Sequence, residues 1–139
     1  MPVIPEQEWR KIRDMKPAVL DRVCKGILDA LRTKLVISST DQVHHKQYLK
    51  VYKWLDEQDK IIGNGFNDLK RSNAYFLVAF WLKGRWLTQQ EFDRLSEVTR
   101  AKVLFLAGMD QYTPPEIWPG LQPTVARDRL QPRDNTDVT

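Results

Sequence analysis

Residues 48–83 read YLKVYKWLDEQDKIIGNGFNDLKRSNAYFLVAFWLK. Every third or fourth position gives Tyr48, Tyr52, Leu55, Asp59, Ile62, Phe66, Leu69, Asn73, Phe76 and Phe80. That alternation is the apolar seam of an amphipathic helix, interrupted only by Asp59 and Asn73. Gly63-Asn64-Gly65 has the chemistry of a turn, yet Ile62, Phe66 and Leu69 keep the phase that Tyr48 and Leu55 set. Phase continuity predicts one long central helix over about 42–83, bent at the glycines. Two helices hinged at the glycines are the alternative. Lys83-Gly84 then supplies a helix stop.

Downstream, Thr88-Gln89-Gln90-Glu91 matches a capping box and starts a short helix with Phe92 and Leu95 inward. Ser96 followed by Glu97 marks a fresh N-terminus. The helix it opens carries Val98, Ala101, Val103, Leu104, Phe105 and Ala107 and closes at Gly108, wide enough in apolar residues for a buried element or a self-association face. Upstream, residues 5–14 predict a short first helix with Trp9 and Ile12 on its apolar side. Glu6 and Glu8 sit at the positive end of its dipole. Pro17 predicts the start of a second helix, striped by Leu20, Val23, Cys24, Ile27, Leu28, Leu31 and Leu35. Thr40 or Asp41 is the expected N-cap of the central helix.

Proline placement bounds this body. No proline falls between Ala18 and Thr113, whereas Pro114, Pro115, Pro119, Pro123 and Pro132 crowd the end. Because an interior proline costs a helix about 3 kcal/mol, the pattern divides the chain into a helical domain, residues 1–110, and an extended Pro-rich tail, residues 111–139. The expected fold class is all-α: a small bundle of four to six helices around the long central one.

Composition narrows the function classes. With 42% hydrophobic and 29% charged residues, the 139-residue chain reads as globular and long enough for one core. The net charge of +4 is uneven: residues 1–54 hold 11 Lys/Arg against 6 Asp/Glu, and the remainder 11 against 12. A single cysteine, Cys24, excludes an internal disulfide and suggests a reducing, cytoplasmic compartment. Its place on an apolar stripe reads as an inert thiol rather than a nucleophile. No signal-peptide pattern opens the sequence, and the most apolar run, residues 74–82, is about half of what spans a bilayer. No membrane association is expected.

Chemistry-bearing motifs are sparse. His44 and His45 are adjacent, so on a helix they point about 100° apart and cannot chelate one ion. There is no nucleophile–base pair, phosphate loop or dinucleotide fingerprint, and neither a cofactor nor a metal is expected. Asp59 and Asn73 interrupt the seam and suggest a helix-register device or a polar pocket between helices. Arg10, Lys11, Arg13, Lys46, Lys50 and Lys53 supply a basic first half suited to a nucleic-acid backbone, although no recognition helix accompanies them. Trp118, with Ile117, Pro114 and Pro115, makes a short anchor for a protein partner or a lid on the domain's own core. The favoured expectation is a non-catalytic helical adaptor or regulator acting by hetero- or self-association. A nucleic-acid-binding accessory protein, and an enzyme or ligand binder using Asp59 and Asn73, are the alternatives.

Overall fold

The computed structural model describes residues 3–38 and 43–116. Five α-helices and one 3-10 turn form the described part: α1 Glu6–Ser38, α2 His44–Phe66, the turn Arg71–Asn73, α3 Ala74–Gly84, α4 Gln89–Arg94 and α5 Glu97–Ala107. The all-α bundle expected from the periodicity is what forms, and no strand occurs among the described residues.

Helix α1 begins as the sequence implies, with Trp9 N donating to Pro5 O at 2.9 Å and Glu6 and Glu8 in the first turn. It then runs through Pro17, which corrects the expectation of separate helices over 5–14 and from Pro17 onward. Pro17 is exposed, so its ring and the hydrogen bond it cannot donate fall on the water side, where a long helix tolerates them best. On the opposite side Ile12, Met15, Val19, Val23, Ile27 and Ala30 form one stripe, each at most 6% exposed. Burial of that stripe outweighs the proline penalty. Leu28 and Leu35, expected in the stripe, lie outside it at 48% and 44% exposure.

Helix α2 starts at His44 behind Val43, which offers no capping side chain; Thr40 and Asp41 lie outside the described residues. It runs antiparallel to α1. Lys34 lies 5.4 Å above the Trp54 ring, while Ile27, two turns earlier, borders a groove with Gln58 and Ile62 further along α2.

The single central helix over 42–83 does not form. Gly63, Asn64 and Gly65 remain helical, and α2 stops at Phe66. Asn73 explains the break. Its Oδ1 accepts from Lys70 N at 2.8 Å and its Nδ2 donates to Asp68 O at 2.7 Å. These bonds satisfy backbone groups that a continuing helix would have used, the usual competition offered by Asn and Asp side chains. The chain then reverses, so that Trp81 Nε1 donates to Gly65 O at 2.8 Å. Phe66 stacks between Trp81 and Trp86, at 5.4 and 5.5 Å between centroids. The phase continuity from Ile62 to Phe66 reflects this corner of the core rather than one rod.

Two glycines give the aromatic corner its room. A Cβ on Gly65 would lie 2.9 Å from the Phe80 ring, and one on Gly84 would lie 2.4 Å from the Trp86 indole. The turn after α3 is made by Arg85, the only described non-glycine with positive φ (59°), and not by Gly84. Gly84 is spent on the indole. At the end of α5 the expected glycine does take the left-handed position, Gly108 at φ 71°.

Both predicted capping motifs form. Thr88 Oγ1 accepts from Glu91 N at 3.0 Å and Glu91 Oε1 accepts from Thr88 N at 2.9 Å. Ser96 Oγ accepts from Thr99 N at 3.2 Å. Phe92 and Leu95 are buried as expected. In α5, Thr99 and Val103 are buried, whereas Val98 and Phe105 face outward at 64% and 82% exposure.

Two part-buried polar links join α1 to the C-terminal part of the body, and a third, buried one ties Tyr112 to Leu87. Glu8 Oε1 accepts from Ser96 N at 2.8 Å and its Oε2 from Lys11 Nζ at 2.7 Å. Arg22 forms a bidentate pair with Glu91, both bonds 3.0 Å, and donates to Trp86 O as well. Tyr112 donates to Leu87 O at 2.7 Å and accepts from Leu87 N at 3.1 Å. Burial pushes the Tyr112 hydroxyl up to about 12. Tyr112 is core, so the packed body continues past residue 110.

Burial alone would raise the Glu8 carboxyl, but Lys11, the Ser96 amide and the Thr99 hydroxyl together hold it down at about 2. A folded-state value below the ordinary 4.5 means that the unfolded chain takes up the proton first as pH falls. The stabilisation, about 3 kcal/mol, is complete above the ordinary carboxylate range and is lost as pH drops towards 2. Urea melts across that range should therefore put Glu8→Gln about 3 kcal/mol below the wild type near neutrality and bring the two together in acid. A constant gap would show that the Glu8 charge contributes nothing. The glycines offer a paired check by thermal melting. Gly65→Ala should destabilise by about 1–3 kcal/mol through overpacking against Phe80. Gly63→Ala, which meets only the flexible end of Asn67, should be neutral or up to about 1 kcal/mol stabilising through helix propensity.

Candidate interaction surface

The seam read from the sequence faces water over its first half. On α2 the buried stripe is Trp54, Gln58, Gly65 and Phe66, with Gln47, Val51 and Ile61 half-buried beside it. Tyr48, Tyr52 and Leu55 are 63%, 61% and 41% exposed. The Tyr48 and Tyr52 rings stack on each other at 6.4 Å, 23° from parallel. The period was right and its orientation was not: α2 carries two apolar stripes side by side, and Trp54 decides which one the bundle covers. Its indole takes up more core volume than any residue of the competing stripe. The seam cannot distinguish the two stripes, because both repeat every three or four residues.

Between α1 and the exposed stripe lies an open groove of ≈ 390 Å³, lined by Ile27, Tyr52, Leu55, Asp56, Gln58, Asp59 and Ile62. Its floor is apolar and its rim carries two carboxylates. Gln58 is only 2% exposed, and its Oε1 has no hydrogen-bond donor among the described residues. A buried acceptor in that state costs on the order of 1–3 kcal/mol. The groove therefore offers an apolar surface edged by carboxylates, with the unsatisfied Gln58 oxygen sealed beneath it.

The residues singled out by sequence fall in different places. Asp59 is exposed on the rim of the groove, and Asn73 is engaged in the turn before α3, so the two do not form a common pocket. The correction has the same cause as the helix break: the seam linking them on paper ends at Phe66. Of the cations, Arg10 pairs with Glu6 at 2.9 Å, Lys11 with Glu8 at 2.7 Å and Arg13 with Asp14 at 3.5 Å. Lys46, Lys50 and Lys53 are carried by α2, where Lys50 is close enough to Lys34 near the other end of α1 to act on its charge. At about 1.5 Å per residue, the roughly twenty residues from Arg13 to Lys34 separate the two basic groups by about 30 Å along α1. They do not make one face.

Pro114 and Pro115 are half-buried just beyond Tyr112, and Ile117 and Trp118 lie outside the described residues. Arg85 Nε donates to Thr113 O at 3.3 Å, so this segment is held against the end of α3. His44 and His45 are exposed, and Cys24 is half-buried with its thiol pushed up by burial and then by Asp21. Among the described residues no group of three or more His, Cys, Asp or Glu is placed to hold a metal ion. None of their helices is long and apolar enough to cross a membrane.

Replacing the unsatisfied amide by an apolar side chain of similar volume tests the cost assigned to Gln58. Gln58→Met should leave the fold intact and raise stability in chemical denaturation by up to about 1 kcal/mol; a clear loss would mean that the amide is bonded in solution. Comparison with known proteins adds no relative, since no family model, curated protein or solved structure matches this chain.

Proposed function

We propose that this protein is a non-catalytic helical adaptor or regulatory protein that works by protein–protein association, with another protein or with itself, through the exposed face of α2. The observation that carries the reading is the contiguous exposure of Tyr48, Tyr52 and Leu55 beside a groove with an apolar floor. Tyrosine is the residue type that protein interfaces use most readily, since it contributes area at low entropic cost and ends in a hydrogen-bonding group. Three large apolar side chains on one exposed stripe of one helix are more than scattered surface residues require. The acidic rim, Asp56 and Asp59, favours an occupant that brings hydrogen-bond donors or cations to the edge of an apolar strip. A reducing cytoplasmic setting suits a chain whose one cysteine has no internal mate.

The test uses the whole chain. Tyr52→Glu changes only an exposed side chain and should leave the circular dichroism spectrum unaltered. Proteins that co-purify with the tagged wild type from its native host should be lost from Tyr52→Glu. An identical set of co-purifying proteins on both would remove the α2 face from consideration.

A further inference from the structure

The spacing of the exposed stripe permits it to pair with a second copy of itself, and its side-chain chemistry says in which direction. Its positions are His45, Tyr48, Tyr52, Leu55 and Asp59, continued by the half-buried Ile62, with spacings of three, four, three, four and three. That series reads the same in both directions. Two copies of α2 laid antiparallel, with the twofold axis between Lys53 and Trp54, bring every position against a different one. Tyr52 of one protomer meets Leu55 of its partner, Tyr48 meets Asp59, and His45 meets Ile62. Each pairing then occurs twice, as a twofold interface requires.

We infer that the exposed face of α2 docks a second copy of this chain, as an antiparallel helix pair in that register. The inference rests on the association reading above and names the partner. Chemistry selects the direction. A parallel pair would set Asp59 against Asp59 in the seam, and like charges brought together out of water are strongly disfavoured. The antiparallel pair gives each Asp59 carboxylate a Tyr48 hydroxyl, a donor matched to an acceptor. On the edge of the stripe, Lys53 of one protomer comes beside Asp56 of the other. Asp56 is half-exposed and held only by Lys60 at 3.4 Å across solvent. The central Tyr52–Leu55 layers are the most apolar, and the Tyr48–Asp59 and His45–Ile62 layers outside them each bring in a polar group, the distribution expected of an interface core and rim. Asp59 then acts as a direction-setting residue, as single polar groups in helix seams do.

Sedimentation across the accessible concentration range should give a wild-type mass that rises towards a dimer. Tyr52→Glu places a carboxylate in both central layers and should weaken association roughly 100-fold or more, with the helical spectrum unchanged. Register is read by cross-linking in a Cys24→Ser background. Eleven residues separate positions 48 and 59, about 16 Å along the helix, beyond the reach of a disulfide. Under mild oxidation Tyr48→Cys alone and Asp59→Cys alone should therefore stay monomeric on a non-reducing gel, and an equal mixture of the two should yield a covalent dimer. A wild type that stays monomeric at every concentration overturns the inference, as does a dimer that persists in Tyr52→Glu. Cross-linking by either single variant alone overturns the antiparallel register. If the wild type is monomeric but other proteins leave with Tyr52→Glu, the wider association reading stands and the second-copy assignment falls.

Discussion

The end of α2 is held by an indole. Trp81 Nε1 bonds the Gly65 carbonyl while the Trp81 and Trp86 rings enclose Phe66. A helix terminus leaves carbonyls that must find donors, and inside a core no water is at hand to supply them. One tryptophan supplies the donor and fills the space, so a polar obligation and an apolar one are discharged by the same side chain. The reversal from α2 into α3 depends on that contact, and so do the positions of Trp86, Leu87 and everything hung from them. Gly65 and Gly84 belong to the same arrangement, since any side chain at either would displace the aromatic rings.

Around this corner the polar links serve more than one element each. Glu91 caps its own helix through Thr88 and holds Arg22 of α1, and Arg22 in turn reaches Trp86 O. Glu8 reaches across to the first amide of the α5 cap while Lys11 neutralises it. A carboxylate at a helix N-terminus is favoured by the helix dipole as well as by the direct bonds. At the start of the chain, Arg71 donates to Ile4 O at 3.1 and 2.9 Å and pairs with Glu6 at 2.8 Å, fixing the beginning of α1 to the turn before α3. None of these groups is spare, and the surface left without such obligations is the outer side of α2.

What could be read from the residues alone follows how local each signal is. The capping box at Thr88, the cap at Ser96 and the glycine at 108 were legible because their chemistry is complete within four residues. The helical class was legible from period. The break after Phe66 was not, because the side chain that enforces it, Asn73, sits where the seam expects a core residue and acts on Asp68 and Lys70 through bonds that periodicity does not encode. Pro17 misled in the opposite sense: a local rule against interior proline was overridden by six buried residues on the far side of the helix. For the candidate site, the stripe residues themselves were visible and their exposure was not. Which of two parallel stripes turns inward depends on Trp54 and on the helix that packs against it, and neither enters a one-dimensional pattern. The Arg22–Glu91 and Tyr112–Leu87 links gave no signal, since the partners lie 69 and 25 positions apart.

The links between Glu8 and Ser96, and between Arg22 and Glu91, have a bearing on synthesis. The N-terminal half of α1 leaves the ribosome well before Glu91 and Ser96, which complete its links through Arg22 and Glu8. Until those residues emerge neither link can form, even with α2 already available to the C-terminal half of the helix. The longest-range links of α1 are thus closed late in synthesis, and non-local contacts of that kind leave apolar surface exposed in a nascent chain while they wait.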